Sequence, residues 1–262
     1  MSAVELISQR LDPTEAEIRA TGDDLVAGRL MGPRCPYAST VEVAYYFKPL
    51  PGGGLRTLVP EPSFWDPQSP FLYEAHLTTA GGAKVQQRHG LRLVQLARAG
   101  LRVNRRPFRA VGAVRNELTD AASLRASCVD TLVCPVTPAT APLWAEADVL
   151  GFFMVGLVSR SAESFALARD LKRHASCLGW IVEAADALAP EELQTRPGVE
   201  PLLGILADKA DIDTPSWVQF LAGPTALANG RLPWLCIDET GETAAEAAFG
   251  VVRGSVAFDL AR

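Results

Sequence analysis

Apolar and polar residues alternate in several short runs over the first hundred residues, and this period of two predicts β-strands. The alternation is clearest over residues 40–47 (TVEVAYYF), which a turn sequence at 51–54 follows. Two further runs, Phe71–Thr78 and Lys84–Leu96, flank a segment at 80–83 (AGGA) that predicts a hairpin turn. Because no strong helix signal accompanies these runs, they predict a small β-sandwich.

After about residue 105 the pattern changes, because short apolar runs now alternate with helical segments. Such an alternation is typical of β/α units and a parallel sheet. The runs that predict barrel strands are Phe108–Val114, Thr131–Val136, Phe152–Val158, Leu178–Val182, Leu202–Ala207, Val218–Ala222, Pro233–Ile237 and Ser255–Leu260. Eight such runs predict an eight-stranded barrel.

We therefore expect an immunoglobulin-like β-sandwich over residues 1–100, followed by a compact (β/α)8 TIM-like barrel with shortened helices over residues 101–262. Barrels of this kind usually have about 250 residues. The second segment is much shorter, so the helices after the fourth strand must be short or missing.

Helix boundaries are marked at two places in this second segment. Pro142 has the position of a first helical residue, and Gly151 has that of a C-terminal cap. Thr243 and Glu246 have the spacing of a capping box ahead of an alanine-rich run, which predicts a helix up to Val252.

Composition excludes several classes of function. The chain has 262 residues, a net charge of −5 and an isoelectric point near 5.3. The basic residues are scattered, which argues against nucleic acid and anionic membranes as partners. The N-terminus lacks a basic region and an apolar region, and no apolar run is long enough to span a membrane. We therefore expect a cytoplasmic location.

The five cysteines are Cys35, Cys128, Cys134, Cys177 and Cys236. Their number is odd and no two have C-x-x-C spacing, which argues against a disulfide framework and a zinc site. We predict that they are small buried residues in a reducing compartment. Neither a metal nor an organic cofactor is implied.

Three short motifs follow one another between the two predicted domains. They are Trp65–Tyr73 (WDPQSPFLY), Gly90–Arg92 (GLR) and Asn104–Pro107 (NRRP). In this order they resemble the junction between the immunoglobulin-like domain and the barrel of glycoside hydrolase family 2. Because barrels of that family cleave glycosides, the resemblance implies a carbohydrate as the ligand class.

Further along the chain, the resemblance continues without the reactive side chains. Asp130–Pro138 lies over the family's Asn-x-x-Arg-x-x-His-x-Pro pattern, with Val133 at the arginine position and Val136 at the histidine position. Residues 147–151 (ADVLG) match an Ala-Asp-Glu-Leu-Gly helix end, and Leu157 stands where the family often has an acid. The resemblance therefore implies that several polar substrate-facing groups have been lost.

The fourth barrel strand should carry the acid/base. Residues 174–180 (HASCLGW) resemble the His-Pro-Ser-Val-x-x-Trp sequence that precedes the family's Asn-Glu pair, and counting places Ala184 and Ala185 at that pair. The nearest carboxylates are Glu183 and Asp186. A shift of one residue moves a side chain to the opposite face of a strand, so each needs a bulge or a shifted alignment to replace the missing acid.

The seventh strand should carry the nucleophile, and Glu239 has that position in a sequence that resembles the family's Glu-x-Gly setting. A retaining glycosidase needs two carboxyl groups about 5–5.5 Å apart. Glu239 is equally well explained as a polar strand end. Candidate substrate-binding residues are Trp180, Trp234, Arg115 and Asp238. Tryptophans in barrel strands more often fill the core, and an arginine at a strand end more often forms a solvated ion pair.

Three hypotheses for the function remain open. The first is a glycoside hydrolase-like pseudoenzyme, either catalytically degenerate or carbohydrate-binding. The second is an active retaining glycosidase with Glu239 as nucleophile and Glu183 or Asp186 as acid/base. The third is a structural or protein-interaction module. The sequence identifies neither a sugar and linkage nor an oligomeric state.

Overall fold

The chain divides into two compact units, Met1–Leu93 with Arg173–Ala175, and Val94–Lys172 with Ser176–Arg262. The structure is a computed structural model. The residues that it describes are 4–97, 100–159, 161–183, 201–206, 219–223, 234–238 and 250–253.

The first unit is built from two antiparallel four-stranded sheets with the strand orders β1-β2-β6-β5 and β4-β3-β7-β8. The strands are β1 (Glu5–Leu11), β2 (Glu15–Thr21), β3 (Leu25–Arg34), β4 (Val43–Tyr46), β5 (Lys48–Pro49), β6 (Leu55–Pro60), β7 (Leu72–Thr79) and β8 (Lys84–His89). The arrangement is sandwich-like, as the sequence predicts.

Alternation along each strand produces the core of the sandwich. In β2, Ala16, Ile18 and Ala20 are completely buried while the residues between them are charged. The predicted hairpin turn is confirmed between β7 and β8, where the Thr79 N–H donates to the Ala83 carbonyl at 3.0 Å. The core of this unit therefore follows from the period of two in its strands.

The motif residues Gly90–Arg92 have a structural role in the first unit. The Arg92 guanidinium donates a hydrogen bond to the Ala175 carbonyl. A side chain on Gly90 would collide with Ala175 and Trp65, so only glycine fits there. The motif thus fixes segment 173–175 within this unit.

The second unit begins with an antiparallel meander of three strands, β9 (Val94–Ala97), β10 (Gly100–Val103) and β11 (Arg106–Phe108). The NRRP motif forms the turn between β10 and β11. Its residues Asn104 and Arg105 have φ values of 49° and 68°, and Val103 pairs with Arg106. Positive φ at both central residues is typical of a two-residue type I′ hairpin turn.

Eight parallel strands then close into a barrel, and β12 pairs with β19. The strands are β12 (Ala110–Val114), β13 (Thr131–Pro135), β14 (Phe153–Val158), β15 (Cys177–Glu183), β16 (Leu202–Leu206), β17 (Phe220–Gly223), β18 (Trp234–Asp238) and β19 (Gly250–Arg253). The described helices are α1 (Ala121–Ala126), α2 (Pro142–Leu150) and α3 (Ala162–Leu171). With 6, 9 and 10 residues, they are short, and the predicted sandwich and compact barrel are confirmed.

Both faces of the barrel strands are apolar. One face packs against the helices in a cluster that contains Cys134, Met154 and Trp180 from the strands, and Trp144 and Phe165 from α2 and α3. Because side chains alternate along a strand, the residues between these strand positions line the interior of the barrel.

The sequence predictions succeed for seven strands and fail for the eighth. We expected a helix up to Val252 and a strand at Ser255–Leu260, but Gly250–Arg253 forms the eighth strand. The apolar pair inside this short strand directly follows an alanine-rich run, which conceals it. Residues 255–260, and the helices predicted after the fourth strand, lie outside the described residues. Pro142 and Gly151, whose φ is 73°, bound α2 as predicted.

The prediction of buried cysteines is right for Cys134, Cys177 and Cys236, which lie in barrel strands. It is wrong for Cys128, which is exposed just after α1, and for Cys35, which is half-buried. Within the described ranges, no helix is both long and apolar enough to cross a membrane.

Candidate functional site

The C-terminal ends of parallel barrel strands form the face on which barrel enzymes place their active sites. The fourth barrel strand, β15, ends at Glu183, and the seventh, β18, ends at Asp238. The backbone of these residues and of Trp234 is described, but their side chains are not. Asp186 and Glu239 lie outside the described residues, as do Ala184 and Ala185.

The interior of the barrel is apolar at the described positions near this face. Val133, where the family resemblance places an arginine, is completely buried and pairs with Val155. The next row toward the C-terminal face contains Leu157, Ile181 and Phe220, all of which are buried. The described rows of the barrel interior near this face are therefore apolar and buried.

Phe220 and Gly204 are neighbours in the sheet, and the Phe220 ring fills the interior space that a side chain on Gly204 would occupy. A Cβ atom on Gly204 would collide with the Phe220 ring. The large ring and the missing side chain are therefore complementary. Sequence analysis missed this pair because Gly204 lies inside an apolar run, where it carries no separate signal.

Val136, at the family's histidine position, lies on the helix-facing side of the barrel and is buried. Its N–H donates to the Leu157 carbonyl at 2.9 Å. The next residues form a loop in which the Thr137 and Thr140 hydroxyl oxygens are 3.1 Å apart. These two hydroxyl groups stabilise the loop ahead of α2.

A second hydroxyl group cluster follows β14. The Ser159 N–H donates to the Ser164 hydroxyl at 3.2 Å, and that hydroxyl donates to the Val136 carbonyl at 3.3 Å. Ser161 caps α3 by accepting the Ser164 N–H at 3.0 Å. These serines join the ends of β13 and β14, a role that the sequence analysis did not predict.

Arg115 lies just after β12, at the same face, and is exposed. Its N–H donates to the Val133 carbonyl at 3.0 Å, and its guanidinium donates to the Val114 carbonyl at 2.8 Å. The backbone thus holds this side chain, and it is a cation at the rim of the barrel.

Trp180 is completely buried on the helix-facing side of β15. Its ring centroid is 6.1 Å from that of Trp144 in α2, with the two ring planes tilted by 32°. It also covers Gly156, where a Cβ atom would be 2.6 Å from the ring. The ring fills the core between the strands and α2, so it has no exposed surface for a sugar.

Asp148, in the helix end that matches the family, is also buried. Its carboxylate accepts the Ser176 N–H at 2.7 Å, and the Ser176 hydroxyl donates to the Trp144 carbonyl at 3.0 Å. These bonds join α2 to the start of β15. Asp148 therefore positions the start of the fourth barrel strand.

Asp130 lies at the opposite, N-terminal end of β13. Its carboxylate accepts the Val111 N–H at 2.9 Å and the Thr131 hydroxyl at 2.7 Å. Burial raises the pKa of this carboxyl to about 6, against the lowering effect of both hydrogen bonds. Its distance along the strand from the C-terminal face gives it a structural role. No cluster of three or more potential metal ligands occurs in the described part of the chain.

Comparison by sequence finds no matching family model and no matching curated protein. Solved structures do match. The β-D-glucuronidase of Dictyoglomus thermophilum is 13% identical with a TM-score of 0.59, over 89% of this chain and 47% of that one. The Parabacteroides merdae β-glucuronidase with glycerol in its active site is 10% identical with a TM-score of 0.60, over 96% and 46%.

A third structure, the Ruminococcus gnavus β-glucuronidase with N1-substituted uronic isofagomine, is 14% identical with a TM-score of 0.57, over 84% of this chain and 44% of that one. This chain has the β-glucuronidase fold. The resemblance that the motifs indicated is thus confirmed at the level of the fold, and the chain spans about half the length of these structures.

Proposed function

We propose that this chain is a glycoside hydrolase-like protein whose barrel does not hydrolyse glycosides. The observation that carries the proposal is the apolar packing around Val133, which is completely buried next to Val155 inside the barrel. A charged or polar side chain placed in this interior without partners would be strongly unfavourable. The described interior residues therefore stabilise the fold by apolar packing, and they supply no polar group to bind the transition state of glycoside hydrolysis.

A carbohydrate is the ligand class that we propose for the C-terminal face of the barrel. The β-glucuronidases that share the fold act on glycosides, which supports this class. Arg115 is exposed at the rim, and β18 ends with Asp238. Binding without turnover needs only such rim groups, because it does not require two carboxylates at a fixed distance.

The proposal is tested with a panel of 4-nitrophenyl glycosides that includes the β-D-glucuronide. We expect no release of nitrophenol above the buffer rate. Titration calorimetry with D-glucaro-1,5-lactone should then detect binding that Arg115→Ala weakens. Glu117→Gln, at an exposed glutamate, is the control variant. The proposal would be contradicted if the wild-type chain turned over a glycoside, Glu239→Gln abolished this turnover and Glu117→Gln retained it.

One observation favours a second candidate, an active retaining glycosidase. The fourth and seventh barrel strands end at Glu183 and Asp238, and Glu239 directly follows. In this candidate, Glu239 attacks the anomeric carbon while Glu183 or Asp186 protonates the departing oxygen; water then releases the sugar. Loss of turnover in Glu239→Gln together with Glu183→Gln or Asp186→Asn would establish it.

A further inference from the structure

The outer face of the sheet β4-β3-β7-β8 carries a row of polar side chains that runs across all four strands. Tyr46, Arg29, His76 and Gln86 are direct partners in the register of neighbouring strands. Leu30 and Ala75, which adjoin this row along their strands, are completely buried in the core. Since side chains alternate along a strand, the row lies on the opposite face, away from the core.

A cavity of about 350 Å³ lies over this row. The polar and charged residues that line it are Arg29, Tyr46, His76, Thr78, Lys84 and Gln86. Its volume is in the range of small-molecule sites, which begins at about 300 Å³. The row crosses three inter-strand spacings, or roughly 14 Å, so the surface is long enough for more than one sugar ring.

The charge of this surface is positive, although the chain as a whole carries −5. Arg29 and Lys84 line the cavity, and neither forms an ion pair with any residue that the structure describes. No carboxylate belongs to the lining. Outside the lining, the Glu74 carboxylate is 3.5 Å from the His76 ring, and it shares the Arg34 guanidinium, at 2.9 Å, with Glu42, at 2.8 Å.

Tyr46 distinguishes this surface from a simple anion site. Its side chain is an aromatic ring at one end of the row, and the residue is 69% exposed. Leaving a large ring in water has a free-energy cost that contact with an apolar surface removes. The C–H face of a pyranose ring is such a surface, whereas an inorganic anion has none.

We propose that this face of the sandwich binds an anionic saccharide, with Tyr46 packed against a sugar ring and Arg29 paired with its carboxylate. A guanidinium presents two parallel N–H donors that match a carboxylate. Lys84, two strands away on β8, is a second cation in the lining of the same cavity. His76 lies next to Arg29 in the row and Gln86 lies beyond it, with the Gln86 amide nitrogen 3.5 Å from the His76 Nδ1. Both side chains have donors and acceptors suited to sugar hydroxyls. The inference is independent of the barrel and goes beyond the function proposed for it.

The test is titration calorimetry of the full chain with tri-galacturonic acid at low salt. We expect saturable binding that weakens as salt is added. Arg29→Ala and Tyr46→Ala should each weaken it by about tenfold or more, since a hydrogen-bonded charge pair and the burial of an aromatic ring each contribute about that much. Arg10→Ala removes the same charge from the other sheet and should leave binding unchanged.

Four outcomes would overturn the inference. One is equal binding by the wild-type chain and Arg29→Ala. Another is equal affinity for maltotriose, a neutral trisaccharide, which would exclude recognition of the carboxylate. The third is equal affinity for tri-glutamate, which would show that charge alone determines binding. Binding that Glu239→Gln abolishes while Arg29→Ala retains it would place the saccharide at the barrel and would likewise refute this site.

Discussion

Asp130 is a carboxylate whose burial matters to stability more than its hydrogen bonds do. Its folded pKa of about 6 lies above the 3.8 of an ordinary aspartate. A group with a raised folded pKa stabilises the protein below its unfolded pKa, and the contribution is lost as the pH rises through the folded value. The stabilisation from Asp130 should therefore be present below about pH 4 and be lost by about pH 6 to 7.

We predict that Asp130→Asn removes this pH dependence. Relative to the variant, the wild-type chain should lose about 1–2 kcal/mol of unfolding free energy between pH 4 and pH 7, after allowance for partial solvent access. Urea unfolding at several pH values measures the difference.

Asp12→Asn is an informative comparison, because hydrogen bonding to Thr14 lowers the pKa of Asp12 to about 2. Its contribution should be present above about pH 4 and be lost as the pH falls towards 2. Identical profiles for wild type and Asp130→Asn would refute the prediction.

At the scale of the element, the turn between β10 and β11 holds an arginine in a conformation that suits glycine. Arg105 has a φ of 68°, and the Arg102 guanidinium donates to its carbonyl at 2.8 Å. The Arg102 bond uses only backbone atoms of Arg105, so the side chain of Arg105 is not needed for it.

We predict that Arg105→Gly raises the unfolding free energy by about 0.5–1 kcal/mol, because glycine adopts positive φ without steric cost. Thermal and urea unfolding both measure the gain. Arg106→Gly is the matched control, since Arg106 lies in strand β11, where glycine should be destabilising. A loss of stability in Arg105→Gly would show that the arginine side chain contributes to the turn.

The bonds between α2 and β15 lead to another prediction at this scale. Asp148→Ala removes the acceptor of the Ser176 N–H, so a buried donor loses its partner. We expect a loss of about 1–3 kcal/mol, and Asp148→Asn should restore part of it by retaining an acceptor oxygen. Glu146→Ala, on the exposed side of the same helix, should change stability by less than about 0.5 kcal/mol. Equal effects of the two alanine variants would contradict this role for Asp148.

On the scale of the whole molecule, the two units have separate apolar cores with no residue in common. We predict that Ile18→Ala and Met154→Ala, both at completely buried positions, each lower the stability of their own core by about 2–5 kcal/mol. Hydrogen exchange resolves the effect by unit: Ile18→Ala should accelerate exchange at Leu55, and Met154→Ala at Leu132. Equal acceleration of both amides in both variants would show that the cores unfold together.

Much of this architecture could be predicted from the sequence, because its strongest signals are local. Pro142 and Gly151 mark the ends of α2 regardless of what the helix packs against. The face on which Trp180 lies could not be predicted, because barrel strands are apolar on both faces and a period of two is then invisible. The strand β19 was missed for a related reason, since four residues are too few to show a period. The positions of the candidate carboxylates after β15 and β18 could not be predicted either, because they depend on where each strand ends, and sequence patterns locate strand ends least accurately.

The buried cysteines of the barrel allow the separation of its strands to be measured by thiol labelling. Cys134, Cys177 and Cys236 lie in β13, β15 and β18, and burial raises the pKa of the Cys134 thiol to about 12. Because all three thiols are buried, an alkylating reagent reaches them only when their strands separate from their neighbours. Cys128 is exposed in the folded state and reports the rate of the unhindered reaction. The rates of labelling at the three buried sites, divided by the rate at Cys128, thus measure how often each part of the barrel wall opens.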